Sequence, residues 1–230
     1  MNHKNKFYLL QVNDALFPIG GYSHSYGLET YIQKNIVKDA ADAKDYLTAK
    51  LKYNTLYTDL FAVRLAYEYA KNSDLGKLLE LNQLTEVSKT PLEIRDASKK
   101  MASRFLKTVQ ELDIPYETNI FQEYVTKLGV KGLHHACIYG VFCAAIGIEE
   151  RDALSHYLYA QTSAIVTTSV KSIPLSQTDG QKILTSSFPL LTSLVELVQG
   201  LEECMYGLSA PAFDIRCMQH ESLYSRIYMS

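Results

Sequence analysis

The residues best equipped for chemistry in this chain are its histidines, its cysteines and a hydroxyl-rich run near the start. Ser23-His24-Ser25 sets a nucleophile type beside a base type. Adjacent residues face apart on a helix, and no GxSxG elbow is present, so the run reads as loop capping and hydrogen bonding. A hydrolase using His24 is the alternative. The histidines are His3, His24, His134, His135, His156 and His220. They make no HExxH pattern, and no His, Cys and Asp set has strong metal spacing. His134 and His135 point in different directions from a helix, which leaves a metal enzyme built on them as a further alternative. Imidazole suits nickel, so a transient nickel contact is more natural than a tight site, and the sequence locates none. Cys137, Cys143, Cys204 and Cys217 form no CxxC pair, so neither a zinc ribbon nor a redox motif is indicated. With neither GxxxxGK[ST] nor GxGxxG, the chain does not read as a GTPase itself.

These groups must be positioned by the elements around them, and residues 14–29 (DALFPIGGYSHSYGLE) organise the rest. Phe17-Pro18 ends an apolar lead-in, and Gly20-Gly21 stops an incoming helix by taking backbone angles that other residues resist. Ser23 is expected to cap the next helix, and Tyr22 and Tyr26, four apart, to share a face if the turn continues as helix. The stretch reads as a rigid bend that fixes two helices and displays side chains.

Helical patterning accounts for the remainder. Residues 6–13 lead into the bend and 28–34 leave it. A long helical stretch opens at Asp39, with Leu47, Leu51, Leu60, Phe61 and Leu65 as core candidates, and Asn54-Thr55 divides it in two. Asp74 caps the next helix. Thr90-Pro91-Leu92-Glu93 has the form of a capping box with proline at the first helical position, opening a helix that runs to about Leu112. Residues 116–128 form another. Residues 133–146 are apolar on most sides and belong in the middle of a bundle. Residues 149–171 form the longest helix, with small residues Ala160, Ser163, Ala164 and Thr167 where a neighbouring helix would approach closely. Thr178-Asp179-Gly180 reads as a turn and cap, and Pro189 begins or kinks a later helix. Residues 218–228 read as a short helix with a free tail. No strand-like alternation of useful length occurs. The expectation is one all-α domain over residues 1–230, a compact bundle-like arrangement of roughly ten helices, with mobile ends at residues 1–6 and 218–230.

Composition sets the class. The chain is 47% hydrophobic and 21% charged, ordinary for a globular protein. The formal charge of −2 gives no electrostatic reason to expect nucleic acid or membrane binding. No window approaches the roughly 20 apolar residues that span a bilayer. A reducing cytoplasm is the default for unpaired cysteines of this spacing. Seventeen tyrosines without a tryptophan suit surfaces that need both apolar area and a hydroxyl.

The wording FPIGGYSHSYGLE, together with VKSIPLSQTDGQ (residues 170–181) and FDIRCMQHESLYSRIYMS (residues 213–230), resembles the UreF family of urease accessory proteins. The three stretches span almost the whole chain. The resemblance implies an all-helical, non-enzymatic scaffold that joins UreD (also called UreH) to the GTPase UreG, for GTP-dependent nickel delivery to apo-urease. It implies a homodimer within that complex and no tightly bound cofactor: nickel would be in transit, and GTP would be held by the partner. Carried over residue by residue, Phe17, Pro18, Gly20, Tyr22, His24, Gly27 and Glu29 would help form the surface for UreD. YLYAQTS places Tyr159 near the expected dimer contact. Lys171, Asp214, Arg216, Gln219, His220, Glu221, Tyr224 and Arg226 would help recruit UreG. A different reading makes the chain a GTPase-activating protein that supplies Lys171 or Arg226 in trans, since a cation stabilises phosphoryl-transfer charge. Cys217 sits where another small residue is common in the family and is not read as a metal ligand.

Overall fold

The computed structural model describes residues 3–208 and 210–230, and there the chain is helical with no strand. Met1 and Asn2, part of the expected mobile start, lie outside the described residues. Helix α1 (His3–Asn13) begins before residue 6 and is held by Asn5, whose side-chain amide donates to the Ile146 carbonyl at 2.7 Å. After the bend come α2 (Leu28–Gln33) and α3 (Ala40–Tyr53), the latter capped by Asp39, which accepts from the Asp42 amide. A short 3-10 turn at Thr55–Tyr57 separates α3 from α4 (Asp59–Lys71), as the Asn54-Thr55 break predicts. Asp74 caps α5 (Leu75–Ser88).

The next starts depart from local expectation. Helix α6 (Leu92–Glu111) opens one residue late, with Pro91 at the cap position, and no capping box forms. Thr90 donates its hydroxyl to Asp214 at 3.2 Å, and Glu93 is taken by His220 and Arg226. Charged tertiary partners outcompete a neutral cap. Helix α7 (Ile120–Leu128) starts four residues after Tyr116, because the Glu117 amide is spent on the Ala145 carbonyl at 2.7 Å.

Every residue of α8 (His135–Ala145) is buried, which suits its lack of a polar face. Helix α4 packs closely along it. At Gly140 an added Cβ would lie 2.5 Å from the Val63 carbonyl oxygen, so the crossing requires glycine. Helices α9 (Glu150–Ser172) and α10 (Gln177–Gln199) pack side by side through Gly180, where a Cβ would meet Val170 at 2.6 Å. Thr178-Asp179-Gly180 is therefore helix rather than turn. Ser176 takes the cap instead, accepting from the Asp179 amide at 3.0 Å. Pro189 does not divide α10: it is exposed, so the carbonyl its missing N–H leaves unpaired meets water. The last helix, α11 (Pro211–His220), begins before residue 218 and packs on α2 and α6.

Candidate functional site

The bend at residues 17–27 is fixed by two glycines in left-handed backbone geometry. Gly20 has φ +79° and lies against the Arg104 guanidinium; Gly27 has φ +87°, and a Cβ there would stand 2.8 Å from Cys217 Sγ. Ser23 falls in a 3-10 turn, Gly21–Ser23, and gives its hydroxyl to the Gly20 carbonyl at 2.7 Å. It does not cap α2, whose cap position is Gly27. Tyr22 and Tyr26 share no helical face. Tyr26 sits at φ 53°, while Tyr22 projects into solvent with 71% exposure.

The end of the chain returns to this bend, so the expected free tail is packed. The Ser25 and Tyr26 amides donate to the Ser230 carbonyl at 2.6 and 3.2 Å, and the Met229 amide donates to the Ser23 carbonyl at 2.8 Å. His24 Nδ1 lies 2.9 Å from Ser230 Oγ, so the histidine of the Ser-His-Ser run pairs with a distant serine, not a neighbouring one. Burial, then the nearby Lys100 and Arg104 cations, lowers His24 to about 4. Side chains alternate along the returning segment: Tyr228 and Ser230 are buried, Ile227 and Met229 exposed. The buried rank anchors the segment through the bend's own backbone groups.

Glu29 is the hub of this joint. Its Oε1 accepts from the Ile227 amide at 2.7 Å; its Oε2 accepts from the Tyr228 amide at 3.2 Å and faces His220 Nε2 at 3.0 Å. His220 Nδ1 lies 2.6 Å from Glu93, which also binds Arg226 at 2.6 Å. Both ring nitrogens of His220 thus face carboxylates, Nε2 that of Glu29 and Nδ1 that of Glu93. Four segments distant in sequence (α2, α6, α11 and the last residues) are thus tied by one hydrogen-bonded network, buried at Glu29 and His220 and open at Arg226. Asp214 and Arg216 do not pair. Arg216 reaches Gln219 at 2.7 Å and lies over the Tyr31 ring, while Asp214 takes Thr90.

Beside the joint runs a groove of about 320 Å³, bordered by Phe17, Tyr22, Tyr159 and Lys171 and floored by α9 at Ala160 and Ala164. The small-residue face of α9 therefore meets this groove, not a neighbouring helix. Tyr159 is 46% exposed, with its ring 6.4 Å from Phe188. Lys171 is exposed and makes no ion pair among the described residues. Of the residues singled out from sequence, Phe17, Gly20, His24, Gly27, Glu29 and His220 are buried. Pro18, Tyr22, Tyr159, Lys171, Glu221, Tyr224 and Arg226 are exposed, and Asp214, Arg216 and Gln219 lie between. Sequence reasoning missed Glu93, read there only as a local cap. Its wider role carried no local signal, since both partners come from more than 120 residues away.

His134 and His135 do diverge. His134 Nε2 meets Glu86 at 2.7 Å and Nδ1 meets Ser98 Oγ at 3.2 Å. That connection resembles a serine–histidine–carboxylate relay, but Ser98 Oγ is spent accepting the His135 amide, and the adjoining cavity is only about 20 Å³. It braces α5, α6 and α8. His135 faces Phe105 and Tyr157, and burial holds it at about 4. No three His, Cys, Asp or Glu side chains among the described residues could hold a metal ion together. No helix of the described residues is long and apolar enough to cross a membrane.

Fold and site together define an all-helical protein whose two ends make one rigid, tyrosine-edged surface beside an open groove. The profile of the UreF family matches residues 37–187. The urease accessory protein UreF of Actinobacillus pleuropneumoniae serotype 3 (strain JL03) is 36% identical over 225 residues, covering 96% of this chain and 97% of that protein. The chain belongs to the UreF family of urease accessory proteins.

Proposed function

We propose that this chain is a cytoplasmic, non-enzymatic scaffold of urease maturation, joining UreD/UreH to the GTPase UreG so that nickel reaches apo-urease. Its work is positioning: two partners held in one geometry act at high effective concentration. The observation that carries the reading is the division of labour within the stretches that resemble the family. His24, Glu29 and His220 are buried and build the joint, leaving Tyr22, Tyr224 (fully exposed), Ile227 and Met229 free on its outside. Tyrosines on a preorganised support are favoured at protein interfaces. UreD is assigned to the signature side, from Phe17 to Glu29; UreG to Lys171 and the exposed residues of α11 and the returning segment. Tyr159, at the open groove, is assigned to a homodimer contact. Nickel passes in transit, and GTP stays with the partner.

The test is co-purification with UreD and UreG, sized by light scattering. Truncation before Met218 would remove His220 and expose the joint, so the informative variants are Tyr22→Ala, Tyr224→Ala and Lys171→Ala. Each is expected to keep the wild-type unfolding midpoint and to weaken capture of a partner. Wild-type binding of both partners by all three variants would sink the assignment. A second reading, activation of the GTPase in trans, is favoured by the free ammonium of Lys171 and not by Arg226, which Glu93 holds. It requires Lys171→Ala to lose stimulated GTP hydrolysis while the complex stays intact.

A further inference from the structure

Helix α6 carries five cations, and they fall into two sets. Arg95 and Lys99 reach Glu86, at 3.7 and 2.6 Å. Lys100, Arg104 and Lys107 are exposed and make no ion pair among the described residues. They stand at i, i+4 and i+7, so they share one face of the helix over about 10 Å. Asp96 and Glu111 lie four residues beyond either end of the row, and neither comes within ion-pair distance of it. Like charges at this spacing destabilise a helix, so the row weakens the isolated chain rather than supporting it.

The row borders the bend. The Arg104 guanidinium lies against Gly20, so close that an added Cβ there would overlap it. Burial first, then Lys100 and Arg104, lowers His24 to about 4, so the field of both cations reaches the bend. Two residues on from Gly20 is Tyr22, the most exposed tyrosine of the bend. Asp14, across the shallow groove that Pro18 and Thr108 line, accepts the Leu16 amide at 2.7 Å and makes no ion pair among the described residues. A protein surface that closes over Tyr22 therefore also comes within reach of Arg104 and its row. A cation covered by a neutral surface loses hydration and gains no counter-charge, which is strongly unfavourable. A surface that offers carboxylates offsets that loss and is also attracted from a distance.

We propose that Lys100, Arg104 and Lys107 dock an acidic segment of UreD/UreH, one whose Asp or Glu side chains are spread over about 10 Å to match the row. The inference rests on the assignment of UreD to the bend and adds the chemistry of the surface that UreD presents there. None of the three cations lies in the stretches that resemble the family.

The test measures association of the full chain with immobilised UreD from about 50 to 500 mM sodium chloride. The wild-type rate should fall about tenfold or more over that range. The triple variant Lys100→Gln, Arg104→Gln and Lys107→Gln should associate about tenfold more slowly at low salt and respond little to added salt. Its unfolding midpoint should equal or exceed that of wild type, since the repulsion along the row is gone. Removing the same charge elsewhere, with Lys44→Gln, Lys127→Gln and Lys131→Gln, should leave the rate close to wild type. A row variant that associates as wild type does, or an equal slowing in the second triple variant, overturns the inference and leaves UreD assigned to the bend. Wild type that binds no UreD at any salt overturns that assignment and the inference with it. Phosphatidylglycerol vesicles are the last probe: capture lost in the row variant, with its UreD rate unchanged, gives the row to a lipid surface and overturns the protein reading.

Discussion

Glu29 accepts from two backbone amides of the returning chain while facing the His220 ring, so its two oxygens serve three partners. Glu29→Gln keeps the shape and turns one acceptor into a donor that meets N–H groups. It should cost about 3 kcal/mol, in the range for breaking one side of a buried charge network. It should also speed hydrogen exchange at the Ile227 and Tyr228 amides more than elsewhere; unchanged exchange there would contradict the hub role. Gly27→Ala meets two penalties, the left-handed backbone angle and the clash with Cys217, together about 2 to 3 kcal/mol in chemical denaturation. Adding Cys217→Ala should recover the steric share only. His135 titrates at about 4 when folded, against 6.5 ordinarily, because burial disfavours its charged form. A lowered folded value means the unfolded chain takes up the proton first. Its contribution is fully present above pH 6.5 and is lost as pH falls towards 4, by about 3 kcal/mol for this residue alone. Urea midpoints measured from pH 7.5 to 4.5 should fall, and His135→Phe, which fits the surrounding Phe105 and Tyr157 rings, should flatten that slope.

At the scale of elements, two contacts decide how helices sit. The α4–α8 crossing depends on Gly140, whose hydrogen lies where any side chain would strike the Val63 carbonyl. Gly140→Val should force the two helices apart and destabilise by about 3 kcal/mol or more, read as a lowered unfolding midpoint with loss of near-ultraviolet tyrosine signal. The other contact is that of α11 with the start of α6. There Thr90 and Glu93, a local capping pair by spacing, are drawn off to Asp214, His220 and Arg226. A cap contributes about 1 kcal/mol, whereas hydrogen bonds to charged groups in a partly dry site contribute more each. Position in the fold therefore overrides propensity at this helix start.

For the whole molecule, the consequence is that signature and chain end are one surface. Met229 is bonded to Ser23, next to exposed Tyr22, and Lys171 borders the groove that Phe17 and Tyr22 also line. Partner sites drawn separately on the sequence are contiguous in space. A partner seated on the signature should therefore protect amides of both residues 22–26 and residues 224–229 from exchange. Protection of one segment without the other would show that the joint opens on binding.

The sequence by itself determined the helices, because apolar spacing and acidic caps act within a few residues: Asp39 and Asp74 cap where their spacing says, and the apolar run of residues 133–146 occupies the middle. It also determined the family, since three worded stretches in order carry that information without any geometry. Only the tertiary structure decided which of those residues are supports and which are surface. His24, Glu29 and His220 read as polar, displayed groups, yet they are buried among partners that lie more than 120 residues away in the chain. Long-range hydrogen bonding has no local sequence period, so the joint and the role of Glu93 become visible only once the ends of the chain are brought together.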